Sequence, residues 1–189
     1  MTSKIKVNIL ADGADNSIIT SDGAGSFTAS SSLASSVQSV GEIQMTPAFH
    51  AYKSSSQDIP DDTWTKLTFD TERLDTDSCF SSSRFTPTTA GKYIIYGAAT
   101  VSSVSTTTNL RSAYSAIYKN GSIYAFGDNN YNGSFIFNES IYIQSVVDFN
   151  GSTDYVELYG NGDLTTGNPR ILGGSLEETY FGGYKIIGA

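Results

Sequence analysis

Four consecutive apolar and aromatic residues, Tyr93–Tyr96, constrain the fold of this chain more than any other stretch. They follow Pro87 and the Ala90-Gly91 pair, which interrupt regular structure, and the apolar run continues to Val101. Because neighbouring residues of a strand point to opposite faces of a sheet, both faces of this strand carry large apolar side chains. A sandwich covers one face. The apolar side chains of the other face must also be shielded from water, and in a small chain we expect another copy of the chain to pack against them.

The composition is typical of one domain built from short strands and tight turns. Of the 189 residues, 16% are charged and 12% are aromatic. The formal net charge is -8, with 11 Lys and Arg against 19 Asp and Glu, so we expect no nucleic-acid partner. No apolar stretch approaches the roughly 20 residues that span a bilayer, and none follows Lys4 and Lys6 as in a signal peptide. The sequence therefore predicts synthesis in a reducing cytoplasm and no membrane insertion.

The first part of the chain, residues 1–46, differs in character and is predicted to be an N-terminal attachment arm and linker. Lys4–Leu10 alternates polar and apolar residues as a short strand does. The pairs Asp12-Gly13 and Asp22-Gly23 are typical of hairpin turns. Ser30–Ser39 has little to bury and favours a linker or a weakly amphipathic helix. Two interpretations stay open: a disordered leader, and an arm that becomes ordered when it docks on a larger assembly.

The body, residues 47–189, is predicted to consist of strands. Its clearest element is a hairpin whose strands, Tyr114–Tyr118 and Ile123–Phe126, flank an Asn120-Gly121 turn. The alternating pattern around Trp64 predicts that this side chain points inward. About eight to ten such strands without a helix indicate a sandwich or jelly roll rather than an α/β fold.

Residues for catalysis or for a metal or cofactor site are scarce. The single histidine, His50, and the single cysteine, Cys79, cannot form a usual structural zinc site. His50 is interpreted as a structural histidine rather than a base, and no G-x-S-x-G motif marks a serine nucleophile. The acidic groups Asp61-Asp62, Asp75/Asp77 and Glu177-Glu178 are interpreted as solvated carboxylates rather than a calcium site or a glycosidase pair. No glycine-rich phosphate loop precedes a helix. We therefore expect no enzyme activity, no metal and no cofactor.

Several motifs of the body, taken in order and spacing, resemble C1q/TNF-type jelly-roll domains. They are AF-x-A from Ala48, WTKL-x-FD from Trp64, RFTP-x-x-AG-x-Y from Arg84, YKNG from Tyr118 and YF-x-G-x-x-I-I from Tyr180. The resemblance implies an all-β, C1q/TNF-like jelly-roll sandwich with a short N-terminal extended arm, assembled as a homotrimer about a three-fold axis. By motif position, it places the following residues at the trimer interface: Ile94, Tyr96, Ile141 or Tyr142, and Phe181. Each could equally belong to the core of one chain, because a one-residue slip in register exchanges the faces.

The leader and the composition rich in Ser, Thr, Asn and Gly resemble those of bacteriophage virion appendage proteins that use this domain. This resemblance implies localisation in the virion, synthesis in the host cytoplasm, and contacts with other virion proteins through residues 1–46. The loops Ser102–Asn109, Asp128–Ser134 and Asn161–Asn168 are candidates to meet a host surface glycan, with a purely solubilising role as the alternative. The candidate contact residues are Asn109, Asn129, Asn130, Tyr131, Asn132, Asn161 and Asp163.

Three functions remain open at this stage. The first is a structural component of a tail fibre or appendage. The second is a capsid decoration or head-fibre protein, which differs in whether the loops have a cellular partner. The third is a free lectin-like or ligand-binding C1q module.

Overall fold

The structure is a computed structural model, and among the residues that it describes the regular elements are all strands, as predicted. It describes residues 9–11, 14, 16–21, 27–29, 45–104 and 108–187. The chain divides into two compact units, Met1–Gln44 and Met45–Ala189, close to the predicted division between residues 46 and 47. Among the described residues, no helix has the length and apolarity needed to cross a membrane.

Three short antiparallel strands form the described part of the first unit. They are β1 (Ile9–Ala11), β2 (Ser17–Ser21) and β3 (Phe27–Ala29), paired in that order. The predicted turn pairs Asp12-Gly13 and Asp22-Gly23, and the segment Ser30–Ser39, lie outside the described residues. Their turn and linker assignments therefore stay predictions.

The second unit is a sandwich of two antiparallel sheets. Its strands are β4 (Ala48–Tyr52), β5 (Gln57–Asp58), β6 (Thr65–Lys66), β7 (Thr71–Asp75), β8 (Phe80–Ser81), β9 (Arg84–Phe85), β10 (Gly91–Ser103), β11 (Leu110–Lys119), β12 (Ser122–Asn130), β13 (Asn138–Phe149), β14 (Val156–Leu164), β15 (Pro169–Ile171) and β16 (Tyr180–Lys185). The front sheet runs β7-β4-β16-β10-β13, with β15 and β5 continuing beside the far end of β10. The back sheet runs β12-β11-β14-β9-β8, and β6 also pairs with β14.

The predicted strand through Tyr93–Tyr96 lies near the middle of the front sheet as part of β10. The side chains of Tyr93 and Ile95 are fully buried between the sheets, whereas Ile94 and Tyr96 lie half-buried on the outward face. Both faces of this strand therefore carry large apolar side chains, as the sequence indicated.

Stacked and edge-to-face aromatic rings fill the space between the sheets. The ring centroid of Phe49 lies 4.3 Å from that of Phe85, 4.9 Å from Phe80 and 5.0 Å from Phe181. Phe69 also stacks on Phe181, with 5.9 Å between ring centroids. Each such pair contributes about 0.5–1.5 kcal/mol beyond the burial of its surface, so these rings fix how the two sheets pack.

Two sequence expectations about single elements have different outcomes. The Asn120-Gly121 hairpin is confirmed, since β11 and β12 pair across it and both turn residues have positive φ, 52° and 81°. The inward orientation of Trp64 is wrong. Its ring lies on the outward face of the back sheet against Tyr114 and Tyr118. The reason is the pairing of β6 with β14, which turns the side chain directly before β6 towards the outward face.

The two ends of the sandwich are formed by different segments of the chain. At the entry end, the chain reaches the body at Met45, and the Lys185 amide donates a 3.2 Å hydrogen bond to the Pro47 carbonyl. At the opposite end, called the tip, the segments after β10, β12 and β14 converge. There the Thr165 amide donates to the Asn109 carbonyl at 3.0 Å, and the Tyr131 amide to the Arg111 carbonyl at 3.0 Å.

A buried carboxylate ties together the strands of the back sheet. Glu157 Oε1 accepts hydrogen bonds from Lys66 Nζ at 2.6 Å and from Arg84 Nε at 2.8 Å, which links β14 to β6 and β9. Burial alone would raise the pKa of Glu157, but the hydrogen bonds and charges of Lys66 and Arg84 outweigh it. They hold the pKa below its usual value of 4.5.

We expect the protein to lose stability in acid through Glu157. A carboxylate with a lowered pKa stabilises the folded state above its unfolded pKa of 4.5, and this contribution is lost as the pH falls through the folded pKa. The melting temperature of the wild type should therefore fall between about pH 5 and about pH 3. Glu157→Gln should lower the melting temperature at neutral pH and weaken its dependence on acid. Asp148→Asn, which removes the exposed partner of Lys92, is the matched control and should keep the wild-type profile.

Candidate functional site

The outward face of the front sheet, called the front face, is lined largely by aromatic and apolar side chains. The pairing registers place on it His50 and Tyr52 of β4, Tyr180 and Tyr184 of β16, Ile94 and Tyr96 of β10, and Tyr142, Gln144 and Val146 of β13. Tyr142 is 69% exposed within one chain. Contiguous apolar surface of this kind marks an interaction site in soluble proteins.

The rings at the centre of the front face hold one another in place. His50 Nδ1 lies 3.2 Å from Tyr96 Oη, and the His50 ring stacks on Tyr180 with 5.6 Å between centroids. The Tyr96 ring lies directly over Gly182, where a Cβ atom would come within 2.5 Å of the ring. The glycine therefore lets the tyrosine lie flat against the sheet, so this part of the surface is formed before any partner arrives.

Two grooves open on the front face. The smaller, about 310 Å³, lies between Tyr96, Tyr142 and Tyr180. The larger, about 700 Å³, lies towards the tip, where Tyr142 and Tyr180 share it with Glu139 and the highly exposed Leu176. The front face thus has depressions into which side chains of a partner can insert.

An ion-pair cluster borders the front face near β7. Glu177 pairs with the Arg73 guanidinium and lies 3.4 Å from His50 Nε2. The hydrogen bond from Arg73 holds the pKa of the Glu177 carboxyl below its usual value. The Arg73 guanidinium also lies 5.3 Å from the ring centroid of Tyr52. The border is therefore polar and the centre aromatic, which is the usual arrangement of a protein interface.

A second apolar surface lies along the adjacent edge of the sandwich, where β12 ends the back sheet and β13 ends the front sheet. The exposed large side chains of this edge are Ile123, Tyr124, Phe126, Phe135 and Phe137. Tyr124 Oη donates to the Val146 carbonyl at 3.0 Å and so bridges the two strands. The chain therefore carries two different apolar surfaces, the front face and the edge.

Three predicted interface residues lie on the front face: Ile94, Tyr96 and Tyr142. Their contact with a second copy stays a prediction. The predicted positions of Ile141 and Phe181 are wrong, since these side chains are 5% and 0% exposed and belong to the core of a single chain. The physical reason is the two-residue period of a strand. Phe181 and Ile141 are sequence neighbours of Tyr180 and Tyr142. An error of one residue in the predicted register therefore assigns an inward-facing side chain to the front face.

Four predicted loop residues, Asn129, Asn130, Asn161 and Asp163, lie in strands β12 and β14 instead. Asn161 is buried, and so is Asn109, so their proposed role as surface contacts is wrong. Asn109 Nδ2 donates to the Thr166 carbonyl at 2.9 Å and helps to hold the tip together. Asn161 Nδ2 donates to Asp62 Oδ1 at 3.4 Å. Each amide nitrogen thus has a partner, whereas the Oδ1 atoms of Asn109 and Asn161 are buried without one among the described residues.

The remaining candidates are near the tip surface. Asn129, Asn130 and Asn132 are exposed, and Asn129 Nδ2 donates to Glu139 Oε1 at 2.8 Å. Tyr131 is half-buried, and burial raises the pKa of its phenol to about 12. A glycan contact at these four positions stays a prediction.

Sequence reasoning missed several residues of the front face, namely His50, Tyr52, Tyr180 and Tyr184. Tyr180, Gly182 and Tyr184 alternate with inward-facing residues, so the pattern was present but needed the correct register. Within the described part of the chain, no group of three or more His, Cys, Asp or Glu residues is arranged to hold a metal ion. Cys79 is a buried free thiol.

Comparison with known proteins gives a structural match without a sequence match. No protein-family model and no curated protein matches the chain. Among solved structures, murine APRIL at pH 5.0 aligns with a TM-score of 0.54 at 12% identity, over 74% of this chain and 98% of that one. The globular domain of zebrafish complement 1qA gives 0.52 at 13%, over 75% and 98%. Eiger TNF from S. frugiperda gives 0.55 at 9%, over 75% and 93%.

These matches confirm the predicted fold. The chain has a C1q/TNF-like jelly-roll fold and is all-β. At such low identity the matches establish the fold alone.

Proposed function

We propose that the protein is a homotrimeric structural component of a bacteriophage virion, part of a tail fibre or similar appendage. Its body forms the trimer through the front face, and residues 1–46 attach it to other virion proteins. The observation that carries the trimer is the exposed, grooved aromatic surface around Tyr96, Tyr142 and Tyr180.

The presence of two different apolar surfaces supports a closed ring. When the edge of one copy packs against the front face of the next, the contact is heterologous, and such contacts close into rings when the rotation permits. The C1q/TNF resemblance of the sequence implies three copies. Three heterologous contacts would cover the edge and the front face of every copy, which leaves neither surface in water.

The path of the chain supports a display function. The first strand of the body starts at the entry end, whereas the exposed Asn129, Asn130 and Asn132 lie near the tip. Strand β10 runs between the two ends with 13 residues, a span of about 40 Å at the usual rise of a strand. Attachment and contact with a host surface would therefore involve opposite ends of the body.

The assignment to a virion is supported by the sequence of the leader. The Asp-Gly pairs and polar residues of residues 1–46 are similar to the leaders of bacteriophage appendage proteins. The described strands β1, β2 and β3 are three to five residues long. A sheet of three such short strands is marginally stable by itself, so contacts with other virion proteins would add to its stability.

Immunogold labelling of intact particles tests the proposal. Antibodies against the body should label the tails of the phage that encodes this chain, in electron micrographs of purified particles. Preimmune serum and particles from a deletion mutant are the controls. Label spread over the head would contradict the appendage assignment in favour of capsid decoration. Particles without any label would contradict the virion proposal as a whole and favour a free binding module.

A further inference from the structure

The outward face of the back sheet carries a cluster of aromatic rings, called the back platform, which consists of Trp64, Tyr114, Tyr118 and Tyr159. The Trp64 ring lies 5.8 Å from Tyr114 and 6.2 Å from Tyr118, measured between centroids. Tyr118 and Tyr159 stack face to face at 3.8 Å with 20° between their planes. All four side chains are half-exposed. The back platform is thus a fixed patch of rings that water reaches in the single chain.

Two cations beside the back platform are more exposed to solvent than the carboxylate with which they pair. Lys66 and Arg84 have 31% and 43% of their side chains exposed, whereas Glu157, which they share, has only 4%. Two cations share one carboxylate, which leaves one net positive charge on a chain of formal charge -8. The Arg84 guanidinium lies 3.8 Å from the ring centroid of Tyr155, which holds it at the side of the platform.

Hydroxyl groups add hydrogen-bonding capacity to the same surface. Tyr159 Oη lies 3.5 Å from Glu157 Oε2. Burial raises the pKa of both Tyr118 and Tyr159, so each phenol keeps its proton at neutral pH. The platform therefore combines ring faces, hydroxyl groups and accessible cations within one patch.

We propose that the back platform binds an acidic carbohydrate, whose sugar rings lie on the aromatic rings and whose carboxylate pairs with Arg84 and Lys66. A guanidinium matches a carboxylate with two parallel hydrogen bonds, and an ammonium adds a further donor. Aromatic rings with a few placed polar groups are the usual composition of a ligand site.

The charges decide between an acidic sugar and other occupants. An apolar protein surface would bury Lys66 and Arg84 with only one carboxylate between them, and such burial of an uncompensated charge is costly. An acidic sugar supplies the missing anion and also presents apolar ring faces to the tyrosines.

The site does not depend on the trimer or on the virion assignment. The back platform lies on the sheet opposite the front face. Ile123 of the edge lies opposite Tyr118, so the Tyr118 side of the platform borders the proposed contact between copies. Tyr159 and Lys66 lie on β14 and β6, one strand farther from the edge, and would stay open in the proposed trimer. Three copies in one particle would raise the avidity for a repeating polysaccharide without any new contact.

The chain contains one tryptophan, Trp64, so its fluorescence reports directly on the back platform. The full chain is titrated with an oligogalacturonate, a polymer of sugar carboxylates, and separately with neutral dextran oligomers of equal length. We expect a saturable change in Trp64 emission with the oligogalacturonate only. The apparent affinity should fall as salt is raised, because screening weakens the pairing with Lys66 and Arg84.

Matched variants assign the binding to individual side chains. Arg84→Gln should weaken the oligogalacturonate at least about tenfold, equivalent to about 1.4 kcal/mol. Lys92→Gln removes a cation of the exposed surface at the entry end and should leave the affinity unchanged. If Arg84→Gln fails to fold, Lys66→Gln replaces it, because Lys66 is the second cation that pairs with Glu157. No change in Trp64 emission, equal binding of neutral dextran, or an equal loss in Lys92→Gln would each overturn the proposal.

Discussion

Tyr142→Asp should convert the protein from a trimer into a folded monomer. Tyr142 is 69% exposed within one chain and lies between the two grooves of the front face, so the core loses nothing when it is replaced. In the trimer, however, the substitution would bury three carboxylates without partners, at a cost of several kcal/mol each. Sedimentation equilibrium should give three times 20.2 kDa for the wild type and 20.2 kDa for the variant. Circular dichroism should show the same strand content for both.

Thr166→Asp is the control for the added charge. Thr166 is exposed in the loop between β14 and β15, which contributes none of the side chains named on the front face or the edge, so this variant should sediment as a trimer. A Tyr142→Asp protein that stays trimeric would place the contact between copies on another surface. In that case the front face would need a different partner, and the heterologous ring would be wrong.

Phe181→Ala should destabilise each folded chain by about 3–5 kcal/mol. Phe181 is fully buried and packs against Phe49, Phe69 and Phe80, so truncation leaves a cavity between the two sheets. Such a loss is a large part of the 5–15 kcal/mol that is typical of a folded domain. Urea unfolding measures it, and the measurement is made in the Tyr142→Asp background because association would otherwise add to the apparent stability.

Phe126→Ala is the matched control, since it removes the same ring from a position that is 59% exposed on β12. We expect this variant to lose less than about 1 kcal/mol in the monomer. Equal losses in the two variants would mean that Phe181 does not lie in the core. The sequence placed Phe181 at the interface between copies, so the comparison also decides between that assignment and the structure.

The sequence predicted those features that depend on local chemistry. The Asn120-Gly121 turn could be recognised because a two-residue hairpin needs positive φ at both positions, which Asn and Gly tolerate. The run Tyr93–Tyr96 predicted a strand with two apolar faces because side chains alternate along any strand. Both conclusions follow from a few neighbouring residues, so no knowledge of the topology was required.

Features that depend on register were predicted less well. Phe181 and Ile141 were assigned to the wrong face because Tyr180 and Tyr142, one residue away, carry aromatic rings of similar character. Composition cannot distinguish such neighbours, whereas hydrogen-bond pairing with β10 does. Stretches rich in Asn and Gly are typical of loops, and this pattern predicts a loop at Asn161. In the structure, however, the stretch belongs to strand β14.

The back platform could not be predicted from sequence patterns at all. Three of its members, Trp64, Tyr114 and Tyr159, lie about 50 residues apart in the sequence, so no local pattern connects them. The pairing of β11 and β6 with β14 brings them to one surface. The buried ion pairs of Glu157 arise in the same way, since Lys66 and Arg84 are distant from it along the chain.

The mass of the unmodified chain under native conditions is the most direct measurement of the proposed assembly. Native mass spectrometry of the 189-residue chain should give a single species of three times 20.2 kDa that persists on dilution to nanomolar concentration. Persistence is expected because permanent interfaces bury large apolar surfaces, like the front face and the edge of this protein. A species of 20.2 kDa at micromolar concentration would contradict the trimer and would leave both apolar surfaces without their proposed partner.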